Sequence, residues 1–166
     1  MLLSKNFTLE EMLRSEIATR KNISEQFSPS EEVIENLALL CTNLLQPLRN
    51  IVKLPLRSVS GFRCQRVNTW VGGSPTSDHP MGMADDVELY IDGVENNLFL
   101  AKTLLTSGLQ WKQLIFEFGT ARNPAWLHMS YEKGYNKNEI LVASKQGLKT
   151  VYKTLSLADA LKYVSV

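Results

Sequence analysis

The longest helical pattern in the chain runs from residue 31 to residue 50. Its apolar residues recur three or four positions apart, which is the period of a helix that buries one face. They are Val33, Ile34, Leu37, Leu40, Cys41, Leu44, Leu45 and Leu48. The preceding Ser28-Pro29-Ser30-Glu31 is typical of a helix start, with Pro29 at the first helical position. We predict the main core helix here, and we expect Pro47, which lacks a backbone N–H, to kink or end it.

Shorter patterns predict a mixture of strands and helices along the rest of the chain. Apolar runs and alternation between turn residues predict strands at residues 56–61, 85–91, 113–118, 126–131, 139–143 and 149–152. Helical spacing and capping motifs predict helices at residues 9–14, 63–71 and 94–107, and a last one after Ser156. We expect the strands at 113–118 and 126–131 to form an antiparallel hairpin.

Composition and charge remove several classes of protein. With 166 residues, 44% of them hydrophobic, the chain can form one compact domain, which we expect to span residues 1–166. The 18 Lys and Arg against 17 Asp and Glu give a net charge of +1, with both signs scattered, so we expect no nucleic-acid partner. No apolar segment reaches the length of a membrane span, so we expect no membrane insertion. We expect Cys41 and Cys64 to be reduced and buried.

Both histidines of the chain lie in segments that are rich in other chemically useful residues. His79 precedes Asp86 by seven positions, and Gly82 between them can supply the backbone angle of a sharp turn. A catalytic zinc ion has three protein ligands and an open position for water. His79, Asp86 and His128 would supply that set. On spacing alone, structural histidines and an Asp-Asp turn explain the same residues equally well.

A longer motif favours the metal site. Ser77-x-His79-x-x-Gly82-x-Ala84-x-Asp86 resembles the Ser-x-His-x-x-Gly-x-Ala-x-Asp signature of the M15 zinc peptidases, a group of D-alanyl-D-alanine carboxypeptidases and phage endolysins. Other segments resemble further parts of that family, in the same order. They are Phe7-Thr-Leu-Glu-Glu-Met, Ser60-Gly61-Phe62-Arg63 with Asn68 and Gly72-Gly73, Gln113-Leu-Ile-Phe-Glu117-Phe, and Trp126-Leu-His128-Met-Ser130.

The resemblance implies both a fold and a set of site residues. The fold would be a small α+β domain with a central antiparallel sheet flanked by helices, as in the hedgehog and D-Ala-D-Ala peptidase group. The site would contain three zinc ligands, His79, Asp86 and His128, and Arg63 would bind a carbonyl or carboxylate of the substrate. We expect Ser77 to hydrogen-bond substrate or a ligand and Trp126 to form a wall of the cleft; the alternative for both is packing or loop capping.

A metallopeptidase also needs a general base that takes a proton from water. Many M15 members have a carboxylate three residues before the second histidine, where this chain has Ala125. We predict that Glu117 takes this role, because Phe116 and Phe118 beside it would raise its pKa towards the useful range. Asp78 and Asp85 are weaker candidates, and we expect them instead to orient the neighbouring ligands through hydrogen bonds.

The function that the resemblance implies is hydrolysis of a peptidoglycan stem peptide by a D-Ala-D-Ala carboxypeptidase or an L-Ala-D-Glu-type endopeptidase. The first residues lack the basic and apolar parts of a secretory signal. We therefore expect a monomeric phage or prophage endolysin, made in the cytoplasm and released onto the cell wall. Two alternatives stay open: an inert zinc-binding phage structural or wall-binding module, which the lack of a carboxylate at Ala125 keeps open, and a metal-free interaction domain.

Overall fold

Strands and helices are interspersed along the chain in this computed structural model, which describes residues 1–120, 123–147 and 149–165. The strands are β1 (Leu2–Ser4), β2 (Phe7–Thr8), β3 (Leu56–Ser60), β4 (Ala84–Ile91), β5 (Val94–Glu95), β6 (Gln113–Glu117), β7 (Trp126–Ser130), β8 (Glu139–Gln146) and β9 (Lys149–Thr154). The helices are α1 (Leu9–Met12), α2 (Glu16–Lys21), α3 (Glu31–Leu40), α4 (Gln46–Val52), α5 (Gln65–Trp70), α6 (Asn97–Thr106) and α7 (Leu157–Tyr163).

The central sheet contains β3 from the first half of the chain and β4 to β9 from the second half. Its strands follow the order β3-β4-β7-β6-β8-β9, and β5 pairs with β4 beside this path. The predicted hairpin of β6 and β7 is confirmed, and the α+β fold is the one that the sequence predicted. Neighbouring strands are antiparallel except for β6 and β8, which are parallel. That parallel pair was not predicted, because nothing in the sequence of β8 distinguishes the two directions.

The two faces of the central sheet have different surroundings, because successive side chains of a strand point to opposite faces. On one face, apolar residues of four strands join the hydrophobic core: Val87, Leu89, Leu114, Phe116, Leu127, Met129 and Ile140. Buried leucines of α3, α4 and α6 belong to the same core. The opposite face carries Asp86, Glu117 and His128 and borders a cleft.

The predicted core helix is present, but its start and its course near Pro47 differ from the prediction. The side chain of Ser30 accepts a hydrogen bond from the Val33 N–H and caps the helix, so Pro29 lies ahead of the cap. Residues 41–45 form a π turn, in which the Gln46 N–H bonds to the Cys41 carbonyl five residues back. This wider turn changes the hydrogen-bond pattern just ahead of Pro47, whose N–H is missing, and the helix continues as α4 to Val52.

The segment after β4 also differs from the prediction. Val94 and Glu95 form β5 and pair with β4, so α6 begins at Asn97 rather than at residue 94. The buried Asn97 side chain accepts a hydrogen bond from the Leu89 N–H and donates to the Pro124 carbonyl. These long-range bonds, which no local pattern reveals, fix where the helix starts. The sequence patterns also missed β1, β2 and α2.

Two compositional features can be located in the fold. Cys41 and Cys64 are both buried, as predicted. Among the described helices, none is long and apolar enough to cross a membrane.

Gly82 allows the loop before β4 to lie against α3. Its φ is +70°, and a Cβ there would lie 2.5 Å from the carbonyl oxygen of Val33. We expect Gly82→Ala to lower the free energy of unfolding by about 2–5 kcal/mol, because left-handed strain and the steric clash add together. Gly93→Ala is the matched control, with φ of +80° and open space, and should lose about 1–2 kcal/mol. Urea unfolding measures both, and equal losses would contradict the close approach to α3.

Candidate metal centre

His79 is held in one orientation by the backbone. It opens a 3₁₀ turn, His79–Met81, and its side chain is fully buried. Its Nδ1 lies 2.6 Å from the carbonyl oxygen of Gly61, at the end of β3. Because a carbonyl oxygen only accepts hydrogen bonds, Nδ1 carries the proton and donates it. The lone pair of Nε2 is therefore left to bind a metal ion.

Strand pairing brings the other two proposed ligands to His79. Asp86 in β4 lies directly opposite His128 in β7. Asp86 Oδ1 lies 3.2 Å from His79 Nε2 and 3.1 Å from His128 Nδ1, and the two nitrogens are 3.1 Å apart. All three side chains are buried. The three atoms form a nearly equilateral triangle whose members are all potential ligand atoms.

This triangle has the dimensions of one face of a tetrahedral zinc site. Zinc binds His nitrogen and carboxylate oxygen at about 2.0–2.1 Å, which places neighbouring ligand atoms about 3.3 Å apart. Two imidazoles and one carboxylate are also a common ligand set of catalytic zinc, with the fourth position left open. The donor set therefore fits a zinc ion in both chemistry and spacing.

The ionisation of the ligands suits a cation. Burial would raise the pKa of the Asp86 carboxyl, but its interactions with the two adjacent histidines outweigh burial and hold that pKa below its usual range. Burial lowers the pKa of the His79 imidazole, and the Asp86 carboxylate opposes this only in part. At neutral pH the site presents an ionised carboxylate and a neutral His79, the forms that bind metal.

Arg63 contacts the ligand oxygen that lies outside the triangle. Its Nη1 is 3.2 Å from Asp86 Oδ2, whereas Asp86 Oδ1 faces the histidines. Its Nε is buried and has no hydrogen-bond partner among the described residues. The guanidinium therefore orients Asp86 and keeps one donor available beside the site.

Asp85 and Asp78 do not orient the ligands as predicted. Asp85 points to the core face, where Ser58 Oγ donates to its Oδ1 at 2.8 Å, and burial raises its pKa well above the usual range. Asp78 Oδ1 accepts a hydrogen bond from Lys112 Nζ at 2.7 Å. The partners that contact the ligands directly are instead the Gly61 carbonyl and Arg63.

One cleft of about 630 Å³ contains every residue that the sequence predicted for the site. These residues are Arg63, Ser77, His79, Asp86, Glu117, Trp126 and His128. Glu117 in β6 pairs with Trp126 in β7. Trp126 lies two residues from His128, so both side chains point to the same face of the sheet. Burial raises the pKa of the Glu117 carboxyl, and the Asp86 charge adds to this. The cleft therefore combines a candidate metal site with a carboxylate suited to accept a proton.

Comparison with known families decides which class this arrangement belongs to. A family model described as Peptidase M15 matches residues 5–130, more than half of the chain. The chain belongs to the peptidase M15 family. As an M15 peptidase it belongs to a group that acts on peptidoglycan-like substrates. A search of curated proteins returns no match to this M15 peptidase.

Two polar residues that support the site escaped the sequence analysis. Gln26 is fully buried, and its side chain donates to the Phe62 carbonyl and accepts from the Cys64 N–H. These two bonds fix the backbone immediately before and after Arg63. Lys112 Nζ bridges Asp78 and Glu132 at 2.7 and 2.8 Å and ties the His79 loop to the end of β7. Neither residue belongs to a recognisable motif, because each acts across a long sequence separation.

The two neighbouring aspartates give a matched test of the metal site. We expect Asp86→Asn to weaken zinc binding at least about a hundredfold, because it removes the charge of a direct ligand. Asp85→Asn should retain wild-type affinity, since that side chain faces the core and hydrogen-bonds to Ser58. Competition titration with a chelating dye measures both affinities. Unchanged binding by Asp86→Asn would contradict the assigned ligand set.

Proposed function

We propose that this M15 peptidase is a zinc-dependent hydrolase of peptide bonds in peptidoglycan stem peptides. The observation that carries the proposal is the position of Glu117, which lines the same cleft as the His79–Asp86–His128 triangle. A zinc ion bound there would polarise the scissile carbonyl and make a water molecule more acidic. The residues of the chain would bind the peptide and move the protons.

Glu117 is the proposed general base. It takes one proton from the attacking water as the water oxygen bonds to the carbonyl carbon. It then gives that proton to the amide nitrogen as the carbon–nitrogen bond breaks, so that a carboxylic acid and an amine leave. Burial raises the Glu117 pKa, which makes its carboxylate a stronger base. Glu117 would replace the carboxylate that many M15 members have at the position of Ala125.

Arg63 is proposed to stabilise negative charge that develops on the carbonyl oxygen. It is already fixed by its contact with Asp86, so little ordering is needed when substrate binds. Ser77 and Trp126 line the cleft and are proposed to contact the peptide. The indole N–H of Trp126, which pairs with Glu117 across the two strands, interacts with the Glu117 carboxylate and favours its ionised form.

The bond that is cleaved is either the terminal D-Ala-D-Ala bond or an internal bond of the L-Ala-D-Glu type. The ligand triangle and Glu117 serve either reaction, because they act on the amide group alone. We propose the setting of a phage or prophage endolysin acting on the bacterial cell wall as a monomer. The resemblance of the segment around Glu117 to phage-type members supports this setting.

The role of Glu117 is tested by Glu117→Gln, which keeps the shape and removes the base. We expect hydrolysis of purified peptidoglycan to fall by about a hundredfold or more while zinc stays bound. Glu139→Gln in β8, an exposed carboxylate of the same sheet, is the control and should retain activity. Mass analysis of the released fragments identifies the bond. Full activity of Glu117→Gln would contradict the assignment of Glu117 as general base. A wild-type protein that binds zinc but does not cleave peptidoglycan would favour the inert module.

The same assignment fixes the pH dependence of the reaction. Only the ionised carboxylate accepts a proton, so kcat/KM should fall as the pH drops through the Glu117 pKa. Because burial raises that pKa, the fall should begin above the value of about 4.3 for a free glutamate. Zinc content is measured across the same pH range to exclude loss of metal. A constant kcat/KM down to pH of about 4.3 with zinc bound would contradict the assignment.

A further inference from the structure

The hairpin of β8 and β9 forms one side of the cleft, although it lies beyond the residues that the family model matches. The match ends at residue 130, whereas Leu141, Lys145, Thr150 and Tyr152 all line the cleft. β8 reaches this position because it pairs in parallel with β6, the strand of Glu117. Part of the substrate-facing surface is therefore built by a segment to which the resemblance assigns no role.

Strand register places Tyr152 on the row of Glu117. Ala143 lies between them, paired with Glu117 on one side and with Tyr152 on the other. Directly paired residues point to the same face, so Glu117, Ala143 and Tyr152 form one row in which the small Ala143 side chain is buried between the two larger ones. Partial burial, with the charges of Glu117 and Asp86, raises the pKa of the Tyr152 phenol. The hydroxyl stays protonated and makes no hydrogen bond to the described residues, so it is free to donate.

Lys145 lies on the same face, two residues beyond Ala143. Its Nζ donates to Thr150 Oγ1 at 2.8 Å and lies 5.0 Å from the centre of the Phe118 ring. Phe118 has a φ of +52°, a conformation that is rare for an aromatic residue and that is often found at functional sites. These contacts hold the ammonium group over the cleft.

Among the residues that the structure describes, Lys145 differs from the other cations of the cleft because no carboxylate pairs with it. Arg63 is paired with Asp86, and Lys112 is paired with Asp78 and Glu132. Within residues 1–120, 123–147 and 149–165, Lys145 has no ion pair. A positive charge in a cleft without a negative partner in the protein attracts a negative group of the ligand.

We propose that Lys145 and Tyr152 form a subsite that binds a carboxylate of the substrate, on the side of Glu117 away from the metal ligands. This inference rests on the proposed function and adds a specificity determinant to it. Lys145 lies four residues along β8 from Leu141, the residue in register with Ile115 and His128. Four strand residues span about 13 Å. An extended peptide covers that distance in about four residues, so we expect the bound substrate carboxylate to lie within about four residues of the scissile bond.

The test uses three versions of one synthetic stem peptide: with all carboxylates free, with the C-terminal carboxylate amidated, and with the internal carboxylates amidated. We expect the wild type to have a KM about tenfold lower for the free peptide than for one amidated version, because a charge-assisted hydrogen bond is lost. The version that is disfavoured identifies which carboxylate binds. The kcat values should stay within about twofold, since the subsite acts on binding.

Two variants and one control assign this preference to the subsite. Lys145→Met should abolish the preference for the free peptide, and Tyr152→Phe should reduce it severalfold. Lys153→Met is the control, because Lys153 is an exposed lysine of β9 that pairs with Val142 and so lies on the opposite face. Its preference should equal that of the wild type. An unchanged preference in Lys145→Met, or no preference in the wild type, would overturn the subsite.

Binding measurements separate this inference from the proposed peptidase activity. The zinc-loaded Glu117→Gln protein, with and without Lys145→Met, is titrated with the same three peptides by calorimetry. Binding that prefers the free peptide only when Lys145 is present supports the subsite even if the wild type cleaves nothing, in which case the proposed function alone fails. Cleavage of all three peptides with equal KM and equal affinity supports the peptidase and overturns the subsite.

Discussion

The structure of the site depends on a triangle of three buried potential ligand atoms that lie 3.1–3.2 Å apart. The antiparallel register of β4 and β7 sets one side of it, by placing Asp86 opposite His128. A slip of one residue would bring the Asp85 side chain or the Val87 side chain to this face and send Asp86 into the core. The third vertex depends on the hydrogen bond between His79 and the Gly61 carbonyl. The fold therefore determines the site through register and through one backbone contact.

The same sheet separates the chemistry from the core. Alternation along β4 puts two adjacent aspartates in opposite environments, and their pKa values shift in opposite directions. Asp86 is kept ionised by imidazoles and Arg63, while Asp85 is surrounded by the core and favours its protonated form. An isolated charge is costly to bury, whereas charged partners, hydrogen bonds or a bound cation offset much of that cost. Only one of the two aspartates is therefore suited to bind a metal ion.

The residues that the sequence proposed for the site meet in one cleft, whereas several details of the fold were not predicted. Motifs keep ligands and glycines at fixed spacing, so His79, Gly82 and Asp86 could be recognised together. The parallel pairing of β8, the π turn before Pro47 and the start of α6 at Asn97 depend on contacts between distant segments. Gln26, Lys112 and Tyr152 stayed hidden for the same reason, since each reaches the site through tertiary packing and not through a local pattern.

We propose that one zinc ion is bound by two imidazoles and a carboxylate, with a fourth position left open for chemistry. The most direct measurement is X-ray absorption at the zinc edge of protein loaded with one equivalent of zinc. We expect about four nitrogen and oxygen neighbours at about 2.0–2.1 Å, with the outer scattering of two imidazoles. Sulfur at about 2.3 Å, or a shell of oxygen atoms without imidazole, would contradict the site.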